Sequence, residues 1–177
     1  GASYLFEEDD NEKVNCGLEV GDFGTSDCSI SAWIKIPGEV ASGDQDCILG
    51  KYAGAAPQWY VFITDAELVC LYWRPSGTAV YISSSNSISL DAWVHVVVTM
   101  DRDGNATIYI NGEANGTPVD ISATSADNMD NSAAFILGAR YYGADDAKSL
   151  DGYLDEVGIW YRVLTQTDID FLYNSGS

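Results

Sequence analysis

The chain has 177 residues, about the size of one domain, with 46% hydrophobic residues and a formal charge of −19. That apolar content supports a sizeable core and excludes a disordered chain. The acidity excludes nucleic acid as a partner, because phosphate binding needs clustered Lys and Arg, and it disfavours anionic membrane surfaces. No apolar run approaches the ~18 residues of a membrane span.

In chain order, the first strong signal is residues 28–36, where Cys28, Ile30, Ala32, Ile34 and Ile36 alternate onto one face. Strands are predicted next at 47–51, 59–64 and 67–73, with Asp65-Ala66 as the turn between the last two. A short strand follows at 80–82. Residues 93–100 are the strongest strand, their apolar stretch Val94–Val98 interrupted by His95, and Asp101–Asn105 has turn composition. Residues 106–110 return to the dipeptide Asn111-Gly112, a hairpin signal. Strands at 135–138 and 152–160 complete the set. Residues 165–173 read as a short helix capped by Thr165, with Asp168 near its positive end. The result is an all-β, two-sheet antiparallel sandwich of jelly-roll type with one short C-terminal helix. No composition shift or Pro-rich linker divides it, so residues 1–177 read as a single domain.

Four cysteines, Cys16, Cys28, Cys47 and Cys70, form no CxxC pair, and with one histidine they argue against a zinc site. Their even number predicts disulfides, sequentially Cys16–Cys28 and Cys47–Cys70, with buried free thiols as the alternative. Asn105-Ala106-Thr107 and Asn115-Gly116-Thr117 match glycosylation sequons.

Four segments in order carry a family resemblance. They are Cys28-Ser29-Ile30-Ser31-Ala32-Trp33-Ile34-Lys35, Cys47-Ile48-Leu49-Gly50-Lys51-Tyr52, and Ala92-Trp93-Val94-His95-Val96-Val97-Val98-Thr99 with its return to Asn111-Gly112. The fourth is Leu137-Gly138, followed by Leu150-Asp151-Gly152-Tyr153-Leu154-Asp155-Glu156-Val157. Over residues 15–173 the chain resembles the laminin-G-like and pentraxin-like branch of the concanavalin A-like lectin/glucanase jelly rolls. The resemblance implies that Asp155 holds a structural calcium, which wants six to eight oxygens. The 7–10 acidic run and Gly21-Asp22 supply candidates, so the expected metal set is Asp155, Asp22, Glu8 and Gly21. A turn cap or arginine pair is the alternative for Asp155. A pentraxin-style double calcium site is not expected, because Arg140-Tyr141-Tyr142 stands where its acids would be.

Those residues have the chemistry of sugar recognition, in which aromatic rings stack on C–H faces and polar groups ring the edge. The candidate ligand set is Tyr52, Trp59, Trp73, Arg74, Arg140, Tyr141, Tyr142 and Asp145. Trp59 and Trp73 read equally as packing residues. Trp33, Trp93 and Trp160 belong to the framework motifs. His95, mid-strand, reads as structural rather than as a base, and no nucleophile elbow accompanies it. No facing carboxylate pair for glycoside hydrolysis stands out. The expected function is therefore a non-catalytic, lectin-like, extracellular module. It would bind a neutral glycan, an acidic one being admitted only if Arg74 and Arg140 converge. The alternative is a protein-binding adhesion module.

Overall fold

The computed structural model describes residues 3–7, 12–140 and 148–175. In chain order the strands are β1 (Tyr4–Phe6), β2 (Val14–Asn15), β3 (Cys28–Lys35), β4 (Gln45–Lys51), β5 (Gln58–Thr64), β6 (Val69–Arg74), β7 (Val80–Ser83) and β8 (Val94–Met100). They continue with β9 (Asn105–Ile110), β10 (Glu113–Ala114), β11 (Val119–Asp120), β12 (Phe135–Leu137), β13 (Ala139–Arg140), β14 (Lys148–Ser149) and β15 (Gly152–Trp160), then helix α1 (Gln166–Ser175). One sheet runs β1-β15-β3-β8-β9-β10 with β11 also on β9; the other runs β2-β12-β4-β5-β6-β7. Every long strand predicted from alternation is present. The strands not predicted, such as β1, β2 and β10, are two or three residues long and too short to show a period.

The two sheets face each other across one core. Ile30, Ala32, Ile34, Val96, Val98 and Ile108 from one side meet Leu49, Trp59, Val61, Leu71 and Trp73 from the other, all at most 4% exposed. Trp59 and Trp73 are therefore packing residues, and the expectation that they stack on a ligand is corrected. Each alternates with apolar neighbours pointing the same way, Val61 and Ile63 for Trp59 and Leu71 for Trp73. Asn111 and Gly112 both have positive φ, +52° and +85°, the geometry of a two-residue hairpin turn, between β9 and β10.

The cysteines carry no bridges. Cys47 and Cys70 both pair with Phe62, from β4 and β6 on either side of β5. Two strands apart is about 9.5 Å, beyond the ~7 Å between Cα atoms that a disulfide can span. Cys28 sits in the core with its thiol on Met100 Sδ at 3.7 Å, and Cys16 is hydrogen-bonded by its backbone to Phe135 in the other sheet. The sequential pairing is corrected accordingly: near neighbours in sequence are not near neighbours in these sheets.

Helix α1 covers the outer face of the first sheet. Leu164 and Ile169 pack on Val97, and Tyr173 stacks on Trp33 and His95. His95 Nε2 lies 2.9 Å from Ser31 Oγ. The framework role read for His95 and Trp33 is what the structure shows. No helix covers the corresponding face of the second sheet among the described residues.

Candidate functional site

The outer face of the second sheet carries a row of side chains at one level across all its strands. Register places Asn15, Ile136, Gly50, Tyr60, Tyr72 and Tyr81 side by side, from β2 to β7. At ~4.8 Å per strand the row spans about 24 Å. Its right half is aromatic. Tyr60 and Tyr72 stack with centroids 4.7 Å apart and planes at 17°, and Tyr81 meets Tyr72 edge-on at 5.0 Å. Tyr81 is 59% exposed, whereas Tyr60 and Tyr72 are 4% and 8% exposed. Cys47, Phe62 and Cys70 pack beneath the row's edge as a second, smaller apolar cluster.

The gap in the row is Gly50. A Cβ there would stand 2.4 Å from Tyr60 Cβ and 2.5 Å from the Trp59 carbonyl oxygen, so no side chain fits. The space left open is a cleft of about 370 Å³. It is lined by Tyr52, Tyr60 and Arg140, by Ile136, Ala133 and Ala134, and by Lys13 and Asn15. None of the described lining residues is a carboxylate.

Arg140 organises this end. It ends β13, which folds back against β4. Its Nη1 donates to the Tyr60 hydroxyl at 2.9 Å, and its guanidinium carbon lies 5.0 Å from the ring centroids of both Tyr52 and Tyr60. Tyr52 in turn meets Tyr60 edge-on at 5.7 Å. Burial pushes the Tyr60 phenol up to about 12, and the nearby Arg140 only partly opposes that. Tyr60 therefore keeps its proton at any ordinary pH and accepts from Arg140 while its own O–H can still donate. Gln58, 2% exposed, donates from Nε2 to the Tyr72 hydroxyl at 3.3 Å, while its buried Oε1 has no hydrogen-bond partner.

The structure thus brings Tyr52 and Arg140 together as expected. Arg74 lies at the far end of the same face. It is opposite Gln58 in register, its Nε donates to the Gly77 carbonyl, and both its charge and that of Arg140 act on the Tyr81 phenol. Tyr141, Tyr142 and Asp145 lie outside the described residues, as does Glu8. Sequence reasoning missed Tyr60, Tyr72, Tyr81 and Gly50. The signal was available: in Trp59-Tyr60 and Tyr72-Trp73 one ring must point inward and one outward, and the inward one shares parity with Val61, Ile63 and Leu71.

The described metal candidates do not share a centre. The Asp22 carboxylate pairs with the buried Lys51 ammonium and accepts the Asn131 N–H at 3.3 Å. The Gly21 carbonyl accepts the Trp59 indole N–H at 3.2 Å. Asp155 lies on β15 opposite Trp33, accepts the Glu156 N–H at 2.8 Å, and lines a separate cleft of about 230 Å³ with Glu156, Tyr4 and Phe6. Asp22 and Gly21 are engaged by structural partners, and Glu8 lies outside the described residues. The described residues contain no cluster of three or more His, Cys, Asp or Glu able to hold a metal.

A family model described as the concanavalin A-like lectin/glucanases superfamily, of laminin G type, matches residues 8–170. No curated protein sequence matches the chain. Among solved structures, the binding domain of Paraclostridial Mosquitocidal Protein 1 superposes with a TM-score of 0.71 at 19% identity, covering 93% of this chain and 43% of that one. A botulinum neurotoxin type C structure superposes at 0.69 with 20% identity, over 93% and 40% of the two chains; its title describes cell entry dependent on two ganglioside molecules. The binding domain of botulinum neurotoxin DC, in complex with rat synaptotagmin II, superposes at 0.65 with 18% identity over 86% and 36%. At these identities the likeness concerns the fold. The chain spans about two fifths of the length of these neighbours.

Proposed function

The chain belongs to the concanavalin A-like lectin/glucanase superfamily, and from that premise we propose that it is a non-catalytic carbohydrate-binding module of an extracellular protein. The observation that carries this reading is the row on the outer face of the second sheet, with its tyrosines, its glycine-floored cleft and the arginine fixed above it. Tyrosine rings supply flat apolar surface for the C–H face of a pyranose at little conformational cost, and their hydroxyls reach the ring edge. The cleft is within the size range of small-molecule sites. Tyr141, Tyr142 and Asp145 stay with this proposal as the sequence neighbours of Arg140. Botulinum neurotoxin type C, a protein of similar fold, is described as interacting with gangliosides, which supports the class of ligand.

A glycan array, followed by titration of the best ligand, tests the site. Binding should be weak, with Kd on the order of micromolar to millimolar, because a shallow site recovers little desolvation energy. The double variant Tyr52→Ala/Tyr81→Ala should abolish it while the melting temperature falls by only about 2–4 °C, since Tyr81 is exposed and Tyr52 is half-buried. Unaltered binding in that variant would move the site off this face.

Calcium enters the proposal only as a stabiliser away from the cleft. Asp155 is the residue proposed to hold it, because its carboxylate lines the space beside the N-terminal strand β1. Chelation with EDTA followed by calcium addition should lower and then restore the melting temperature; an unchanged value removes the metal from the reading. A protein-binding role has one observation in its favour: Tyr4 and Leu5, on edge strand β1, are 63% and 41% exposed. An array with no glycan bound by the intact protein would favour that role.

A further inference from the structure

Resting on the glycan reading, we propose that the cleft takes the acetamido group of a neutral N-acetylated amino sugar, its carbonyl on the Tyr60 hydroxyl and its methyl against the alanines. The cleft exists because its lining is small. Gly50 has no room for a Cβ, and Ala133, Ala134 and Ala139 line the same space with Ile136. Strand alternation turns Ala134 to the outer face, since its neighbour Phe135 is buried in the core. None of these five side chains can donate or accept a hydrogen bond. A sugar hydroxyl pressed against them would lose its water and gain no side-chain partner, whereas a methyl group gains by the same transfer.

Tyr60 supplies the polar anchor. It lines the cleft, is 4% exposed, and accepts from Arg140 Nη1 at 2.9 Å. That bond takes one lone pair and turns the phenolic O–H away from the guanidinium. The O–H itself has no acceptor among the described residues. Burial keeps the proton in place, with the phenol pushed up to about 12. A buried donor without an acceptor is costly, so an acceptor that arrives here gains more than it would at the surface.

Together the two features discriminate among neutral sugars. An amide carbonyl accepts without bringing a proton of its own. A hydroxyl in its place brings one, which the alanine side chains cannot take. A 6-deoxy sugar supplies a methyl without the carbonyl. The acetamido group carries oxygen and methyl on one carbon, and its N–H stays on the sugar side, toward the open mouth. At about 370 Å³ the cleft has room for the pyranose as well as its substituent, and Tyr52, edge-on to Tyr60, lines it for contact with the ring. A neutral ligand also meets no repulsion from the net charge of −19.

The test uses the full chain on an array of matched neutral glycans. One set ends in N-acetylglucosamine or N-acetylgalactosamine, a second in glucose or galactose, and a third in the 6-deoxy sugars fucose or rhamnose. Acetamido members should be retained about tenfold better than their hydroxyl counterparts, from one buried methyl and one hydrogen bond. Tyr60→Phe keeps the ring and should cut that preference about threefold. Because Tyr60 also receives Arg140, Ala134→Leu, at a half-buried position, serves as the second variant. It puts a branched side chain on the lining and should erase the preference, with the melting temperature read beside binding to confirm the fold. Equal retention of acetamido and hydroxyl members, equal retention of the 6-deoxy forms, or a preference that survives Ala134→Leu overturns the proposal while the glycan reading stands. Absence of binding to every glycan overturns both.

Discussion

His95 is the chain's only histidine, and its surroundings make it a sensor of acid rather than a catalyst. It is 1% exposed, lies against Ser31 Oγ and beside both the Trp33 and Tyr173 rings, and its Nδ1 has no hydrogen-bond partner. Burial lowers its pKa to about 4. The unfolded chain takes up that proton near pH 6.5 and the folded one resists it until about pH 4, so the unfolded state binds more protons in between. Stability is therefore unaffected above pH 6.5 and is lost as the pH falls through that window, by about 2–3 kcal/mol at its lower end. Urea unfolding at pH 7 and pH 4.5 should show the loss, and His95→Gln should remove most of it; an equal pH dependence in the variant would assign the effect to carboxylates. The same inward-or-outward logic explains what the sequence concealed at the site. Trp59 and Tyr60 are adjacent aromatics, and composition alone does not say which faces solvent. Strand parity does, once Val61 and Ile63 are taken as the inward set. Arg140 and Tyr52 were legible because polar and aromatic residues past a strand end have no core to enter. Gly50 was not, because its contribution is the absence of a side chain at one register position, and register is a property of the sheet.

Helix α1 and the strands it covers behave as a unit. Its start is a reciprocal cap: the Asp168 N–H donates to Thr165 Oγ1 at 3.3 Å, and the Thr165 N–H donates to Asp168 Oδ2 at 2.8 Å. Arg162 adds a 2.8 Å contact to the same carboxylate and holds the Asp168 carboxyl well below the usual range. Thr165→Ala should cost roughly 1–2 kcal/mol, read as a fall of about 2–6 °C in melting temperature. No change would mean that packing of Leu164 and Ile169 on Val97 alone fixes the helix. In the core, Val96→Ala on β8 should cost roughly 1–3 kcal/mol, because Val96 is 4% exposed between β3 and β9. The helix was readable from its cap and the long strands from their alternation. The cysteine arrangement was not, since it depends on which strands become neighbours. Denaturation in alkylating agent without reductant should label all four thiols by intact mass; two or none labelled would restore a bridge.

At the scale of the whole molecule, the sandwich was legible because β3 alternates with a period of two and because β5, β6 and β8 are short apolar runs bounded by turn residues. The order of strands within each sheet was not legible, since β15 lies beside β3 and β12 beside β4 across long stretches of chain. Charge acts at this scale too. Asp22, Asp44 and Asp168 each pair with a cation, but with 27 Asp and Glu against 8 Lys and Arg most of the acids outnumber any partner. The surface is therefore dominated by like charges, and their mutual repulsion destabilises the compact state. Added salt shortens the reach of that repulsion from ~30 Å at 0.01 M to ~10 Å at 0.1 M, whereas the close ion pairs lose little. The melting temperature should accordingly rise between about 10 and 100 mM NaCl, and Asp103→Asn, at an exposed turn position, should raise it slightly at low salt only. A melting temperature that falls with salt would mean that the few ion pairs outweigh the acidic surface, and the repulsion argument would fail.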